Sequence, residues 1–102
     1  MPNSNVNTVV REYLIQNDIG IHSRPAAAFV KTANKYKSDV SVTYGDKWAD
    51  GKSILGLLVL EVLTGTTIKV EIAGEDAEAA AAAIQELIED GDGMFNTPLK
   101  NG

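Results

Sequence analysis

The stretch Ile68-Lys69-Val70-Glu71-Ile72, followed after Gly74 by an alanine-rich run from Asp76 to Glu89, constrains the fold of this chain most strongly. Alternation puts Ile68, Val70 and Ile72 on one face of a strand and Lys69 and Glu71 on the other. The run that follows aligns Ala77, Ala80, Ile84, Leu87 and Ile88 on one helical face. Strands with one polar face imply an antiparallel sheet covered by helices on one side only.

The rest of the chain follows the same logic. Val9 to Gln16 reads as a first strand, with Tyr13 and Ile15 on one face and Leu14 on the other. Arg24 to Tyr36 reads as a helix, because Ala26, Phe29, Val30 and Ala33 recur at helical spacing. Val40, Val42 and Tyr44 make a second strand. Gly45-Asp46 turns it, and Lys47 to Ala49 closes a hairpin. In Ser53 to Leu60, Ile54, Leu57 and Leu58 fit a short helical stripe, while Leu55 falls off it and is expected to be exposed. Asp76 is expected to cap the last helix and Gly91 to end it. Residues 1–7 are polar and expected to fray. The element order β-α-β-β-α-β-α over residues 1–90 is an α+β two-layer sandwich in one domain, and 91–102, without periodicity, reads as a C-terminal tail. A chain of 102 residues can build one core, not two.

Composition removes several functional classes. There is no cysteine and one histidine, so disulfides and thiolate sites are excluded and no metal site is expected. The net charge of −5, with nine scattered Lys and Arg, does not suit nucleic acid. The longest apolar stretch, Ile54 to Leu60, is too short to span a bilayer, so no membrane insertion is expected. The start Met1-Pro2-Asn3-Ser4-Asn5 lacks a signal-peptide pattern, and the expected location is the cytoplasm.

The chemistry concentrates in Ile19-Gly20-Ile21-His22-Ser23-Arg24-Pro25-Ala26-Ala27. Gly20 permits a sharp turn, and Pro25 suits a first helical turn, where its missing N–H is not needed. His22 and Arg24 then flank a helix N-terminus, an environment suited to a phosphate or another anion. Neutral imidazole is a nucleophile, and a ring nitrogen of His22 could take a phosphoryl group whose oxygens meet helix N–H groups and Arg24. No third group is assignable beside Ser23 and His22 to make a triad. Gly51-Lys52-Ser53 resembles the end of a P-loop, but the required earlier glycine position is Asp46, and that reading fails. Ser53 instead stands where a hydroxyl caps a helix; the alternative is a phosphorylation site at a helix start.

Gly20-Ile21-His22-Ser23-Arg24-Pro25-Ala26, then Lys52-Ser53-Ile54-Leu55-Gly56, then Gly74-Glu75-Asp76, resembles the HPr family, the histidine-containing phosphocarriers of the phosphoenolpyruvate-dependent phosphotransferase system. The resemblance runs from about Glu12 to Ile88. It implies an open-faced β-sandwich, four antiparallel strands with three helices on one face. It also implies that His22 takes phosphate on Nδ1 from enzyme I and passes it to a IIA protein or domain in sugar uptake or its regulation. Arg24 matches the arginine that steadies the active centre, and Ser53 the serine modified by HPr kinase/phosphorylase in many members. Ile54 and Leu55 match part of an apolar patch that docks partners. Ser23 stands where alanine or threonine is common, Glu61 where many members have glycine, and both ends exceed the usual length. No cofactor is implied, and the expected state is a monomer. Two other readings compete with the carrier: a regulatory binding module whose phosphorylation state modulates a partner, and a small hydrolase using His22.

Overall fold

The computed structural model describes residues 7–17, 20–90 and Phe95. Its elements are β1 (Asn7–Leu14), α1 (Ser23–Ala33), β2 (Asp39–Tyr44), β3 (Lys47–Asp50), α2 (Ile54–Val59), β4 (Thr67–Gly74) and α3 (Ala77–Asp90). The strands form one antiparallel sheet in the order β1-β4-β2-β3, with three helices, as the sequence pattern requires.

Register follows from side-chain parity. In β4, Ile68, Val70 and Ile72 are buried while Lys69 and Glu71 are exposed. Val9 and Tyr13 of β1 pair with Ile72 and Ile68, and Val40 and Val42 of β2 pair with Ile72 and Val70. Ala49 of β3 faces Val42. A slip of one residue in any pair would turn these apolar side chains to water. The apolar face packs under α3, which lies on β1 and β4, while α1 packs against α3 and α2. Phe29, Leu57, Ile84 and Ile88 are buried completely or nearly so, and each such side chain stabilises the fold by about 1.5–3 kcal/mol.

Four details depart from the sequence reading. Helix α1 ends at Ala33, with Lys35 and Tyr36 continuing it only through tighter bonds to the carbonyls of Thr32 and Ala33. In α2 only Leu57 is buried; Ile54 is 42% exposed, because a six-residue helix has a single turn to set against the core. Asp76 stands at the N-cap position of α3, its carbonyl accepting the Ala80 N–H at 2.9 Å, but its carboxylate is engaged away from the helix. Its carboxylate accepts the N–H of Lys37 at 2.8 Å and of Ser38 at 2.9 Å, together with the Ser38 hydroxyl. It thus ties the entry of β2 to the start of α3, and the Ser38 and Lys37 hydrogen bonds hold its carboxyl below the ordinary range. Finally, Phe95, inside the stretch read as a tail, is fully buried against Phe29, with ring centroids 6.5 Å apart in an edge-on arrangement. Of residues 1–7, expected to fray, Asn7 instead opens β1 opposite Gly74, so that strand begins two residues before the expected Val9; the rest of that stretch and the expected end of α3 at Gly91 lie outside the described residues.

One buried group is unpaid for. The Tyr13 hydroxyl has no hydrogen-bond partner among the described residues. Burial pushes its phenol up, Arg11 pulls it partly back and Glu89 adds to the rise. No helix among the described residues is long and apolar enough to cross a membrane.

Candidate functional site

His22 is the N-cap of α1, in extended backbone, and its side chain makes no capping bond. The ring is half-buried, and neither nitrogen is hydrogen-bonded among the described residues. The first helical bond runs from the Ala26 N–H to the His22 carbonyl at 3.0 Å. The N–H groups of Ser23 and Arg24 therefore lie outside the helix ladder, and Pro25 has none. No acidic residue sits in the first turn of α1, while Lys31 sits in the last, so the positive end of the dipole is not neutralised locally. Arg24 is exposed beside it. An anion placed at His22 would meet two free main-chain donors and a guanidinium.

The turn before His22 is held from several sides. Gly20 has φ 98°, and a Cβ there would lie 2.1 Å from the Val62 carbonyl oxygen. No other residue fits without moving the backbone. The Asn17 side chain closes the turn: its amide donates to the Gly20 carbonyl at 2.7 Å, and its oxygen accepts the Gly20 N–H at 2.6 Å. The Thr64 hydroxyl donates to the Asn17 carbonyl, and the Ile21 N–H donates to Val62 at 3.0 Å. Sequence reasoning found Gly20 and missed Asn17. A polar loop residue carries no periodic signal, though an asparagine three residues before a glycine is compatible with a side-chain-closed turn. Ile19 lies outside the described residues.

Ser53 is the N-cap of α2, and its hydroxyl accepts the Gly56 N–H at 2.9 Å. The preceding Lys52 sends its ammonium to the Tyr36 carbonyl at 2.8 Å, just beyond α1, so it braces the two helices rather than facing a phosphate. Leu55 is 71% exposed, as its place off the stripe predicts. With Val59 and Trp48 it lines an open groove between α2 and β3 that also includes Ser53, Gly56 and Leu60. Val59 and Trp48 were not singled out from the sequence. Val59 follows Leu55 by one helical turn, and Trp48 precedes the buried Ala49, so both signals were available.

His22 and Arg24 do not line that groove. The two regions are joined through the chain. Helix α2 ends at Leu60, Glu61 turns with φ 56°, and Val62 delivers its carbonyl to Ile21, next to His22. Among the described residues no group of three or more His, Asp or Glu is placed to hold a metal.

Comparison with known proteins bears on the family and the fold. Residues 9–90 match the family model described as the PTS HPr component phosphorylation site. The phosphocarrier protein HPr of Neisseria meningitidis is 42% identical over 74 residues, covering 72% of this chain and 83% of that protein. The histidine-containing phosphocarrier protein of a Mycoplasma superposes with a TM-score of 0.82 at 28% identity, covering 88% of this chain and all of that one, 100%. HPr from Thermoanaerobacter tengcongensis superposes with a TM-score of 0.79 at 37% identity, covering 89% and 99%.

Proposed function

This chain belongs to the HPr family of the phosphotransferase system, and from that premise we propose that it is a carrier that accepts a phosphoryl group on His22 from enzyme I and passes it to a IIA protein or domain. The observation that carries the reading is the His22 ring, free of any capping bond, at the start of a helix whose first two N–H groups are unused.

The transfer follows from that arrangement. The lone pair on Nδ1 of neutral His22 attacks the phosphorus held by enzyme I. The bond from phosphorus to the donor atom breaks as the new one forms, and the donor atom keeps the bonding pair. The Ser23 and Arg24 N–H groups and the Arg24 guanidinium receive the phosphoryl oxygens, where charge is concentrated during transfer. The same steps run toward the IIA acceptor return His22 to its starting form. The chain is thus consumed and regenerated rather than turning over a free substrate.

Ile54 and Leu55 are the apolar contacts offered to these partners, and both are exposed. Ser53, at the head of the same helix, is the proposed site for an HPr kinase/phosphorylase. A phosphate there would sit at a helix start and add negative charge beside the docking residues. The proposed setting is the cytoplasm, in sugar uptake or its regulation.

The test is a relay. The phosphorylated chain is isolated and mixed with a IIA protein, and both masses are followed. Loss of the phosphoryl group from this chain matched by gain on IIA supports the carrier. Release of inorganic phosphate at one rate with or without IIA would make it a hydrolase instead.

A further inference from the structure

Phe95 lies outside residues 9–90, the span of the family model, yet it is as buried as any core residue. Its ring meets Phe29, a core residue of the helix that His22 caps. Its carbonyl accepts the Gln16 N–H at 2.9 Å. Gln16 adjoins Asn17, whose side chain closes the turn on Gly20, two residues before His22. One residue therefore touches both supports of the phosphoacceptor: the helix below it and the turn leading into it.

We propose that Phe95 is a positioning residue for His22, its ring anchoring a main-chain carbonyl that fixes the turn from Gln16 to Ile21. This rests on the reading of His22 as the phosphoacceptor. The ring supplies the anchor and the carbonyl supplies the contact to the turn. Removing the side chain leaves the Phe95 carbonyl in place chemically but takes away what holds it against Gln16. The turn then samples other conformations, and His22 spends less time where the Ser23 and Arg24 N–H groups can receive the phosphoryl oxygens. Docking through Ile54 and Leu55 is untouched, since those residues belong to α2.

The experiment uses the full chain with Phe95→Ala and Phe95→Leu, and has two arms. Amide hydrogen exchange is read at Gln16, Gly20 and Ile21 and compared with the interiors of α3 and β4. In Phe95→Ala the turn amides should exchange about tenfold faster relative to those interiors, and Phe95→Leu should restore most of the protection. With each variant as the substrate of enzyme I, kcat should fall in Phe95→Ala with little change in KM, and Phe95→Leu should recover it. Exchange that rises uniformly across turn, α3 and β4, or a kcat equal to that of the parent, overturns the proposal. Should Phe95→Ala not fold, Phe95→Val, a milder truncation of the ring, takes its place: a turn no looser than the core and an unchanged kcat overturn the proposal. Failure of the parent chain to be phosphorylated on His22 would sink the reading of the site, and the exchange arm would still decide whether Phe95 holds the turn.

Discussion

Glu61 is the one residue other than glycine with positive φ among the described residues, at 56°, and replacing it with glycine gives a sharp test of how α2 is tied to the site. It follows the C-cap Leu60, where helices commonly end in a left-handed residue and glycine is favoured. A side chain in that conformation costs about 1–2 kcal/mol from crowding of Cβ against the carbonyl. Glycine removes the crowding but gives back about 0.5–1 kcal/mol through its greater freedom in the unfolded chain. The Glu61 side chain is exposed, and no hydrogen bond or ion pair is lost with it. The net expectation for Glu61→Gly is a gain of about 0.5–1 kcal/mol, a rise of about 2–8 °C in Tm for a domain of this size. Glu61→Ala keeps the Cβ and should gain nothing comparable. Thermal and urea unfolding of the three proteins, with an unchanged urea m-value, would measure this. If Glu61→Gly melts at or below the parent while Glu61→Ala matches it, the strain argument is wrong.

Other perturbations have equally definite outcomes. Asp76 has a carboxyl lowered from 3.8 by the Ser38 and Lys37 hydrogen bonds, so its contribution is present above about pH 4 and lost as pH falls through the folded value. Asp76→Asn should lower stability at neutral pH and flatten the acid arm of a stability–pH profile; an unchanged arm would refute this. Tyr13→Phe removes a buried hydroxyl that has no partner among the described residues and should gain about 1 kcal/mol in urea unfolding, because an orphaned donor costs about 1–3 kcal/mol. Ser53→Ala loses the bond to Gly56 N–H and should cost about 1 kcal/mol while leaving phosphoryl transfer near normal. Ser53→Asp should keep the fold and weaken binding to enzyme I, with added salt restoring part of it. Equal binding at low salt would leave Ser53 as a cap alone.

Parity and spacing make much of the fold legible in the sequence. Ile68, Val70 and Ile72 announce one buried face, Gly20 announces a sharp turn, and Ser53 announces the start of α2. These are local signals, and each can be read within a few residues. What stayed hidden depends on contacts distant in sequence or on main-chain atoms. Asp76 before a helix reads as a cap, and nothing local shows that its carboxylate is taken by Lys37 and Ser38. Phe95 stands alone in an aperiodic stretch, with no neighbour at helical or strand spacing to mark it as core. Asn17 acts through hydrogen bonds to the backbone of Gly20, which no pattern of hydrophobicity records. Helix α2 is too short for periodicity to separate the buried Leu57 from the exposed Ile54. Of the candidate site, the placing of His22, Arg24 and Ser53 at helix starts was legible because a helix start has its own sequence grammar; Val59 and Trp48 carried local signals too, but that they share one groove follows only from α2 lying beside β3.

The central claim is that His22 carries the phosphoryl group, and intact mass measurement after incubation with phosphoenolpyruvate and a cognate enzyme I tests it most directly. The account predicts one added phosphoryl group on the parent chain, labile in acid and stable in base as a phosphoramidate is, and none on His22→Ala. Equal labelling of His22→Ala, or a parent adduct that survives acid, would contradict it.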